Sequence, residues 1–116
     1  METSALDLAV VLPCLNEADN LRTLLPKIKE VLVGLGITYQ VYVIDGGSTD
    51  NTVEVARAAG TVVITQRGKG YGGAIRTAFE DINARWLLTM DADFSHHPVF
   101  IKYLYARRQE GEIIIA

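Results

Sequence analysis

The chain has 116 residues, of which 49% are hydrophobic and 22% are charged, and this composition is typical of a globular domain with one buried core. The 11 basic and 14 acidic residues give a formal net charge of -3, so the sequence offers no broad basic surface and excludes nucleic acid as the expected partner. Cys14 is the single cysteine, which excludes an internal disulfide and a cysteine-based metal site and fits a reducing cytoplasm.

The two ends of the sequence carry different signals. Residues 1–7 lack the basic and apolar stretches of a secretory signal, and no segment reaches the roughly 20 consecutive apolar residues that cross a bilayer. The mostly apolar residues 112–116 predict the start of a buried strand, and the sequence ends within that strand. We therefore expect residues 1–116 to form part of one domain of a longer protein.

The first part of the sequence alternates predicted strands with predicted helices. A run of β-prone apolar residues predicts a strand over residues 8–13, and the polar residues 16–20 suit the start of a helix. Apolar residues then recur at helical spacing over residues 21–35, where Pro26 should kink or split the helix. A second strand is predicted over residues 39–44.

The same alternation continues along the rest of the chain. The pattern predicts a short helix ending at residue 59, a strand over 61–65, an irregular glycine-rich segment over 67–73, a helix over 74–84, a strand over 86–90, a helix from Pro98 that ends before Gly111, and a last strand from residue 112. Strands that alternate with helices over short connections favour the α/β class, with a mostly parallel, twisted sheet and helices on both faces.

Polar or glycine-rich residues follow four of the predicted strands. In open α/β sheets ligands bind beyond the carboxyl ends of the strands, so these four segments can build one site. The segments are Pro13 to Glu17, Asp45, the glycine-rich residues 67–73, and Asp91 to Asp93.

The last of these segments, Asp91-Ala92-Asp93, is the most informative. Two carboxylates at positions i and i+2 after a buried strand can turn toward one hard cation, and Mg2+ or Mn2+ held in this way keeps positions for water and phosphate oxygens. Ser95 could complete the cation's shell through its hydroxyl or a water. The alternative is that both acids are ordinary loop residues, one of which caps the helix near Pro98.

The acids of the first two segments each allow a functional and a structural interpretation. Asp45 can accept hydrogen bonds from a base or a ribose, or it can form a turn before two glycines. Glu17 can contact a ligand or only favour the start of a helix. Cys14 is expected to be a packing residue, because no basic partner that would activate it as a nucleophile is evident.

The glycine-rich segment lacks the spacing of a P-loop. Its flexible backbone, with Arg67 and Lys69 beside a helix N-terminus, can close over anionic phosphates, or the segment can be a mere connector. His96 and His97 point in different directions and do not suggest zinc, but one of them is expected to line the site.

Three blocks of sequence carry a family resemblance over residues 8–116. They are Val-Leu-Pro-Cys-Leu-Asn-Glu at 11–17, Val-Ile-Asp-Gly-Gly-Ser-Thr-Asp at 43–50 and Met-Asp-Ala-Asp-Phe-Ser-His-His-Pro at 90–98, and the last is the most specific. Together they resemble the family-2 glycosyltransferases of the GT-A fold, most closely the polyprenyl-phosphate sugar transferases of the dolichyl-phosphate mannosyltransferase type.

The resemblance implies a nucleotide-sugar site. Nucleotide contacts are implied for Pro13, Leu15, Glu17, Val43 and Asp45. Contacts with the diphosphate and the metal are implied for Asp91, Ala92, Asp93 and Ser95, and Lys69 would lie near the phosphates or the sugar.

The chain departs from the family pattern at three of these positions. Gly46 stands where a second acid is usual, Leu15 where a tyrosine or similar ring is usual, and Ser95 where some members have glutamine. The resemblance also implies that the acceptor region, and any general base, lie beyond Ala116.

The residues and the resemblance favour a metal-dependent, inverting sugar transfer from GDP-mannose or a UDP-hexose to a polyprenyl or dolichyl phosphate, at the cytoplasmic face of a membrane. Membrane association through another part of the protein or a partner, and a homo-oligomer, are compatible with this expectation. The alternative is a non-catalytic nucleotide-binding module. A sugar nucleotidyltransferase is expected to have a glycine-rich, basic motif directly after the first strand. Residues 13–17 lack such a motif.

Overall fold

The computed structural model of the protein describes residues 6–93 and 97–108, and the backbone of residues 114–115. Strands and helices alternate along the chain as the sequence predicts. In order, they are β1 (Leu6–Cys14), α1 (Ala18–Leu35), β2 (Tyr39–Asp45), α2 (Thr52–Ala58), β3 (Val62–Thr65), α3 (Gly70–Asp81), β4 (Ala84–Thr89), α4 (Phe100–Ala106) and β5 (Ile114–Ile115).

The five strands form one sheet in the order β3-β2-β1-β4-β5, and every neighbouring pair is parallel. The expected parallel α/β sheet is therefore confirmed, and the last predicted strand pairs with β4 as part of it. The chain moves outward from β1 through β2 to β3 and then returns to the other side of β1. This reversal makes the carboxyl end of β1 the topological switch point, where α/β sheets bind ligands.

Apolar side chains cover both faces of the sheet. One core cluster joins residues of β1, β2 and β4 to α1, α2 and α4, whose contributions include Leu25, Ala56 and Ile101. A second, smaller cluster packs Ala74 and Ala78 of α3 against the opposite face. Helices therefore lie on both faces, as a parallel sheet with two buried faces requires.

Helix α1 is one continuous helix of 18 residues, so of the two expected effects of Pro26, a kink or a split, the split does not occur. The helix buries an apolar stripe that includes Leu21, Leu25 and Ile28, while Pro26 lies on the exposed side. A proline in a helix interior costs about 3 kcal/mol, and each fully buried leucine or isoleucine stabilises by about 1.5–3 kcal/mol. The stripe therefore outweighs the cost of the proline.

The glycine-rich segment differs from its prediction, because α3 begins within it at Gly70, ends at Asp81, and is followed by β4 from Ala84. Gly73 explains the early start. A Cβ at this position would lie 2.8 Å from the backbone carbon of Gly68, so only glycine lets the turn before the helix pack against its first turn. The glycines of this segment thus allow its backbone to approach α3 closely, in addition to making the segment flexible.

Among the residues that the structure describes, no helix is long and apolar enough to cross a membrane.

Candidate functional site

The segments that follow β1, β2, β3 and β4 meet at the carboxyl edge of the sheet. Cys14, the last residue of β1, pairs in register with Asp45, the last residue of β2. A cavity of about 330 Å³ lies at this edge. We call it the strand-edge cavity, and it is lined by Pro13, Cys14, Leu15, Gly46, Gln66, Gly70, Tyr71, Ala74 and Asp91.

Three of the predicted site residues, Pro13, Leu15 and Asp91, line this cavity together. They come from the ends of β1 and β4, which are neighbours in the sheet but are about 75 residues apart in sequence. The tertiary structure thus brings the first and the last of the predicted segments to one place.

A larger cavity of about 520 Å³ lies between α1 and α4, and its lining includes Lys27, Glu30, His97 and Lys102. None of the predicted nucleotide or metal residues lines it. We place the site at the smaller cavity, because location at the switch point identifies ligand sites in α/β sheets better than size does. His97 therefore lies away from the site, and His96 lies outside the described residues, so the expectation that one of the two histidines lines the site stays a prediction.

Asp91 and Asp93 are both exposed, whereas Ala92 between them is 3% exposed and belongs to the main core cluster. Burial of Ala92 fixes the backbone and leaves the two carboxylates at the surface on either side of it. Ser95, the third predicted metal ligand, lies outside the described residues.

The chemistry of these two side chains fits Mg2+ or Mn2+, which prefer carboxylate oxygens. Within the described ranges, no group of three or more His, Cys, Asp or Glu side chains could hold a metal ion by itself. A site with two carboxylates relies on water and phosphate oxygens for its remaining ligands. The residues therefore fit a cation that binds together with a diphosphate.

Asp45 is 9% exposed, and its carboxylate accepts hydrogen bonds from the backbone N–H groups of Gly47 and Ser48, each at 3.3 Å. Part of its hydrogen-bonding capacity thus shapes the turn after β2, as the structural interpretation expected. A carboxylate has about four lone-pair positions, so it keeps capacity for a ligand.

Glu17 lies directly before α1, and its backbone N–H donates to the hydroxyl of Thr52 at 2.9 Å. Val43, in contrast, is 0% exposed and pairs in register with Leu12 and Val63 in the middle of the sheet. Its side chain belongs to the core and supports the strand that carries Asp45.

Cys14 is buried, and its thiol donates to the carbonyl of Leu12 at 3.4 Å. Burial, and next the nearby carboxylates, raise the pKa of this thiol to about 12. Those carboxylates belong to Glu17, Asp45 and Asp50. Cys14 is 4% exposed and belongs to the main core cluster, so its packing role is confirmed, and the raised pKa disfavours the thiolate that a nucleophile needs.

Asn16 joins the loop after β1 to the loop after β2, a role that the sequence analysis did not assign. Its backbone has a φ of +57°, and its side-chain oxygen accepts hydrogen bonds from the N–H groups of Thr49 at 2.8 Å and Asp50 at 3.2 Å. The backbone N–H of Asn16 donates to the hydroxyl of Ser48 at 2.9 Å. We call this set of bonds the Asn16 clasp; the tolerance of asparagine for positive φ is the sequence signal that could have indicated it.

Asp50 extends the same connection to two helices. Its carboxylate accepts hydrogen bonds from the N–H of Thr52 at 2.9 Å and from the N–H of Ala18 at 3.3 Å, and it also binds the Thr52 hydroxyl. These N–H groups belong to the first residues of α2 and α1. Asp50 thus contacts the starts of both helices.

Arg67 binds two acids at the end of α3, which favours the connector alternative over phosphate contact for this residue. Its guanidinium donates to both carboxylate oxygens of Asp81 at 2.9 and 2.8 Å, and to Glu80 at 2.7 Å. These bonds raise the pKa of Arg67 above its ordinary value and lower that of Asp81. Arg67 therefore ties the start of the glycine-rich segment to the end of α3, while Lys69 is exposed directly before that helix.

Comparison with known proteins agrees with this geometry. The model of the family described as "Glycosyl transferase family 2" matches residues 9–116. A curated relative from Klebsiella pneumoniae, undecaprenyl-phosphate 4-deoxy-4-formamido-L-arabinose transferase, is 32% identical over 114 residues, which cover 92% of this chain and 35% of the relative.

Solved structures show the same architecture. Glucosyl-3-phosphoglycerate synthase from Mycobacterium tuberculosis, in complex with Mn2+, UDP and glucosyl-3-phosphoglycerate, is 26% identical with a TM-score of 0.76 over 92% of this chain and 41% of that one. The same enzyme with Mn2+, UDP-glucose and phosphoglyceric acid is 28% identical with a TM-score of 0.77, over 92% and 40% of the two chains.

The chain thus spans about a third of the length of the curated relative and about two fifths of the solved structures. The match to the family model nevertheless covers nearly the whole chain, and the sheet has the GT-A architecture that the resemblance implied. The chain belongs to glycosyl transferase family 2.

Proposed function

We propose that this chain binds a nucleotide diphosphate sugar, with a divalent cation on Asp91 and Asp93, for transfer of the sugar to a polyprenyl phosphate. The observation that carries the proposal is the strand-edge cavity, where Asp91 meets Pro13 and Leu15 at the switch point of the sheet. UDP sugars are the first donors to test, because the similar M. tuberculosis structure contains UDP-glucose, and GDP-mannose is the second.

Each segment of the edge has a distinct task in this proposal. Pro13 at the end of β1, with Leu15 and Glu17 from the segment that follows it, contacts the nucleoside, and Asp45 accepts hydrogen bonds from the base or the ribose. Lys69, exposed before α3, contributes positive charge near the phosphates. The buried residues Val43 and Ala92 hold the strands that carry the acids.

The transfer itself forms a bond between an acceptor phosphate oxygen and the anomeric carbon of the sugar, and breaks the bond between that carbon and the donor diphosphate. The acceptor oxygen is already anionic at neutral pH, so its activation asks little of the protein. A cation bound at Asp91 and Asp93 would offset the negative charge on the departing diphosphate. Asp91 and Asp93 would hold that cation, and attack from the side opposite the leaving group would invert the anomeric centre.

The proposed acceptor is a lipid phosphate, supported by the Klebsiella relative, whose name includes undecaprenyl phosphate. We extend this to location, and propose that the protein works in the cytoplasm at a membrane surface. Because the chain spans about a third of the length of the Klebsiella relative, the test uses the whole protein: its co-sedimentation with vesicles that contain a polyprenyl phosphate is compared with its co-sedimentation with vesicles that lack it. Equal sedimentation with the two vesicle types would contradict the acceptor assignment.

Calorimetry of the chain with UDP and with GDP, each with and without Mn2+, tests donor and metal binding. We expect Mn2+ to strengthen nucleotide binding in the wild-type chain and Asp91→Ala to remove that gain. Asp19→Ala is the matched control, because this acid on α1 has a side chain that is 98% exposed and does not line the cavity. A metal-dependent gain that survives in Asp91→Ala, or is absent from the wild type, would overturn the proposal.

A further inference from the structure

Tyr71 is a component of the strand-edge cavity to which the proposed function gives no task. It lies in the first turn of α3, and 51% of its surface is exposed. Among the described residues that line the cavity, it supplies the only aromatic ring, and Asp91 supplies the only charge. Apart from Asp91, the side chains that line the cavity are therefore uncharged, and Tyr71 is the aromatic one among them.

A hydrogen bond joins the Tyr71 side chain to the end of β4. Its hydroxyl lies 3.2 Å from the hydroxyl of Thr89, the last residue of β4, which is 1% exposed. Thr89 stands two residues before Asp91 in the sequence. The ring is thus held from the α3 side toward the strand that carries the proposed metal ligand.

Side-chain hydrogen bonds also stabilise the turn directly before Tyr71. The side-chain amide of Gln66 donates to the backbone carbonyls of Gly68 at 3.3 Å and Gly70 at 3.0 Å. A ring on a braced turn loses little further freedom when a ligand binds, and pre-organisation of this kind favours affinity.

Residues at the end of β1 and directly after it give the cavity an apolar surface that suits a flat, uncharged group. Pro13 and Leu15 are apolar lining residues, and Leu15 is 58% exposed, so its side chain presents apolar surface to a ligand. A planar base can rest on such a surface and stack on an aromatic ring, whereas a sugar rich in hydroxyls needs hydrogen-bonding groups along its edges.

We propose that Tyr71 stacks on the nucleobase of the donor nucleotide. The inference rests on the proposed function, since it assumes that a nucleotide occupies the strand-edge cavity. It separates the tasks within that cavity: the ring of Tyr71 contacts the base, and the acids at the end of β4 serve the diphosphate.

The test compares binding of UDP and of pyrophosphate, each with Mn2+, to the wild-type chain and to Tyr71 variants by calorimetry. Loss of base stacking in Tyr71→Ala should weaken UDP binding about tenfold and leave pyrophosphate binding unchanged. Tyr71→Phe keeps the ring and should bind UDP nearly as tightly as the wild type. Phe79→Ala, which removes a 49% exposed ring from the same helix outside the cavity, is the matched control.

The outcomes separate the two proposals. Wild-type affinity for UDP in Tyr71→Ala, or an equal loss for UDP and pyrophosphate, would overturn the stacking role and leave the proposed function intact. A wild-type chain that binds neither UDP nor GDP would overturn both. Where thermal unfolding shows that Tyr71→Ala is not folded, Tyr71→Leu replaces it, because leucine keeps apolar bulk without a ring.

Discussion

The side-chain oxygen of Asn16 accepts a hydrogen bond from the backbone N–H of Thr49 at 2.8 Å, across 33 positions of sequence. Through this bond the loop after β1 and the loop after β2 form one unit. Pro13 and Asp45 lie at the ends of β1 and β2, so the loops that follow them, including Leu15, are held at a fixed spacing. The proposed nucleoside contacts depend on that spacing.

Two substitutions of Asn16 should separate the contribution of its side-chain amide to stability from the contribution of its backbone conformation. Asn16→Gly keeps a residue that adopts φ of +57° without strain and loses the amide, so we expect a loss of stability of about 1–2 kcal/mol. Asn16→Ala also strains the backbone and should cost about 1–2 kcal/mol more. Urea unfolding measures both changes.

The matched control for these variants is Asn51→Ala, since Asn51 precedes α2 without a side-chain capping bond. We expect this change to stay within about 0.5 kcal/mol of the wild type. Equal stability of Asn16→Gly and the wild type would show that the Asn16 clasp does not stabilise the fold.

Asp50 should make stability depend on pH. The hydrogen bond from the Thr52 hydroxyl, followed by backbone N–H bonds, lowers the pKa of Asp50 in the folded chain below its ordinary value of 3.8. A lowered pKa means that the charged form favours folding. This contribution is complete above the ordinary pKa and is lost as the pH falls through the lower, folded-state value.

Asp50→Asn should therefore be less stable than the wild type at neutral pH, and the difference should shrink as the pH falls below 3.8. Urea unfolding from about pH 3 to about pH 8 measures the difference. Asp19→Asn, which removes a surface carboxylate that contacts Arg22, should change stability little at neutral pH. A constant difference for Asp50→Asn at all pH values would contradict the assignment.

Gly73→Ala should destabilise the fold because its Cβ would lie 2.8 Å from the backbone carbon of Gly68 and 3.1 Å from the carbonyl oxygen of Arg67. Both contacts are with backbone, which relieves overlap poorly, so we expect a loss of about 1–3 kcal/mol. Gly72→Ala is the matched control from the same helical turn, with no atom within 4 Å of its Cβ. Alanine favours the helix there and should stabilise by up to about 1 kcal/mol. Similar thermal stability of the two variants would argue against the close approach.

Lys69 and Arg67 should respond differently to substitution. Lys69→Ala should weaken nucleotide binding about tenfold, because it removes a charged hydrogen-bond donor proposed to lie near the phosphates. Arg67→Ala should leave nucleotide affinity unchanged and slightly lower stability, because its charge is already engaged with Asp81 and Glu80 at the surface. Calorimetry and thermal unfolding of both variants distinguish the roles. A larger loss of affinity in Arg67→Ala than in Lys69→Ala would reverse the assignment.

The sequence by itself determined the order and type of the elements. Hydrophobic periodicity is a local property, so it identified the strands around Val10, Val41 and Leu88, and the helix that buries Leu25. Alternation of strands and helices then implied a parallel sheet, and that sheet implied a site at the carboxyl ends of its strands. Asp91 could be assigned to the site on that reasoning alone.

Only the tertiary structure decided which groups meet. The order β3-β2-β1-β4-β5 places the ends of β1 and β4 side by side, and local patterns do not encode strand order. The same holds for Arg67, for which the sequence left phosphate contact and a connector role open and which binds Asp81 across 14 positions. The bonds of Asn16 with Thr49 and of Tyr71 with Thr89 also join distant segments. Such contacts depend on how the whole chain packs, because each partner is chosen by geometry that no local stretch of sequence contains.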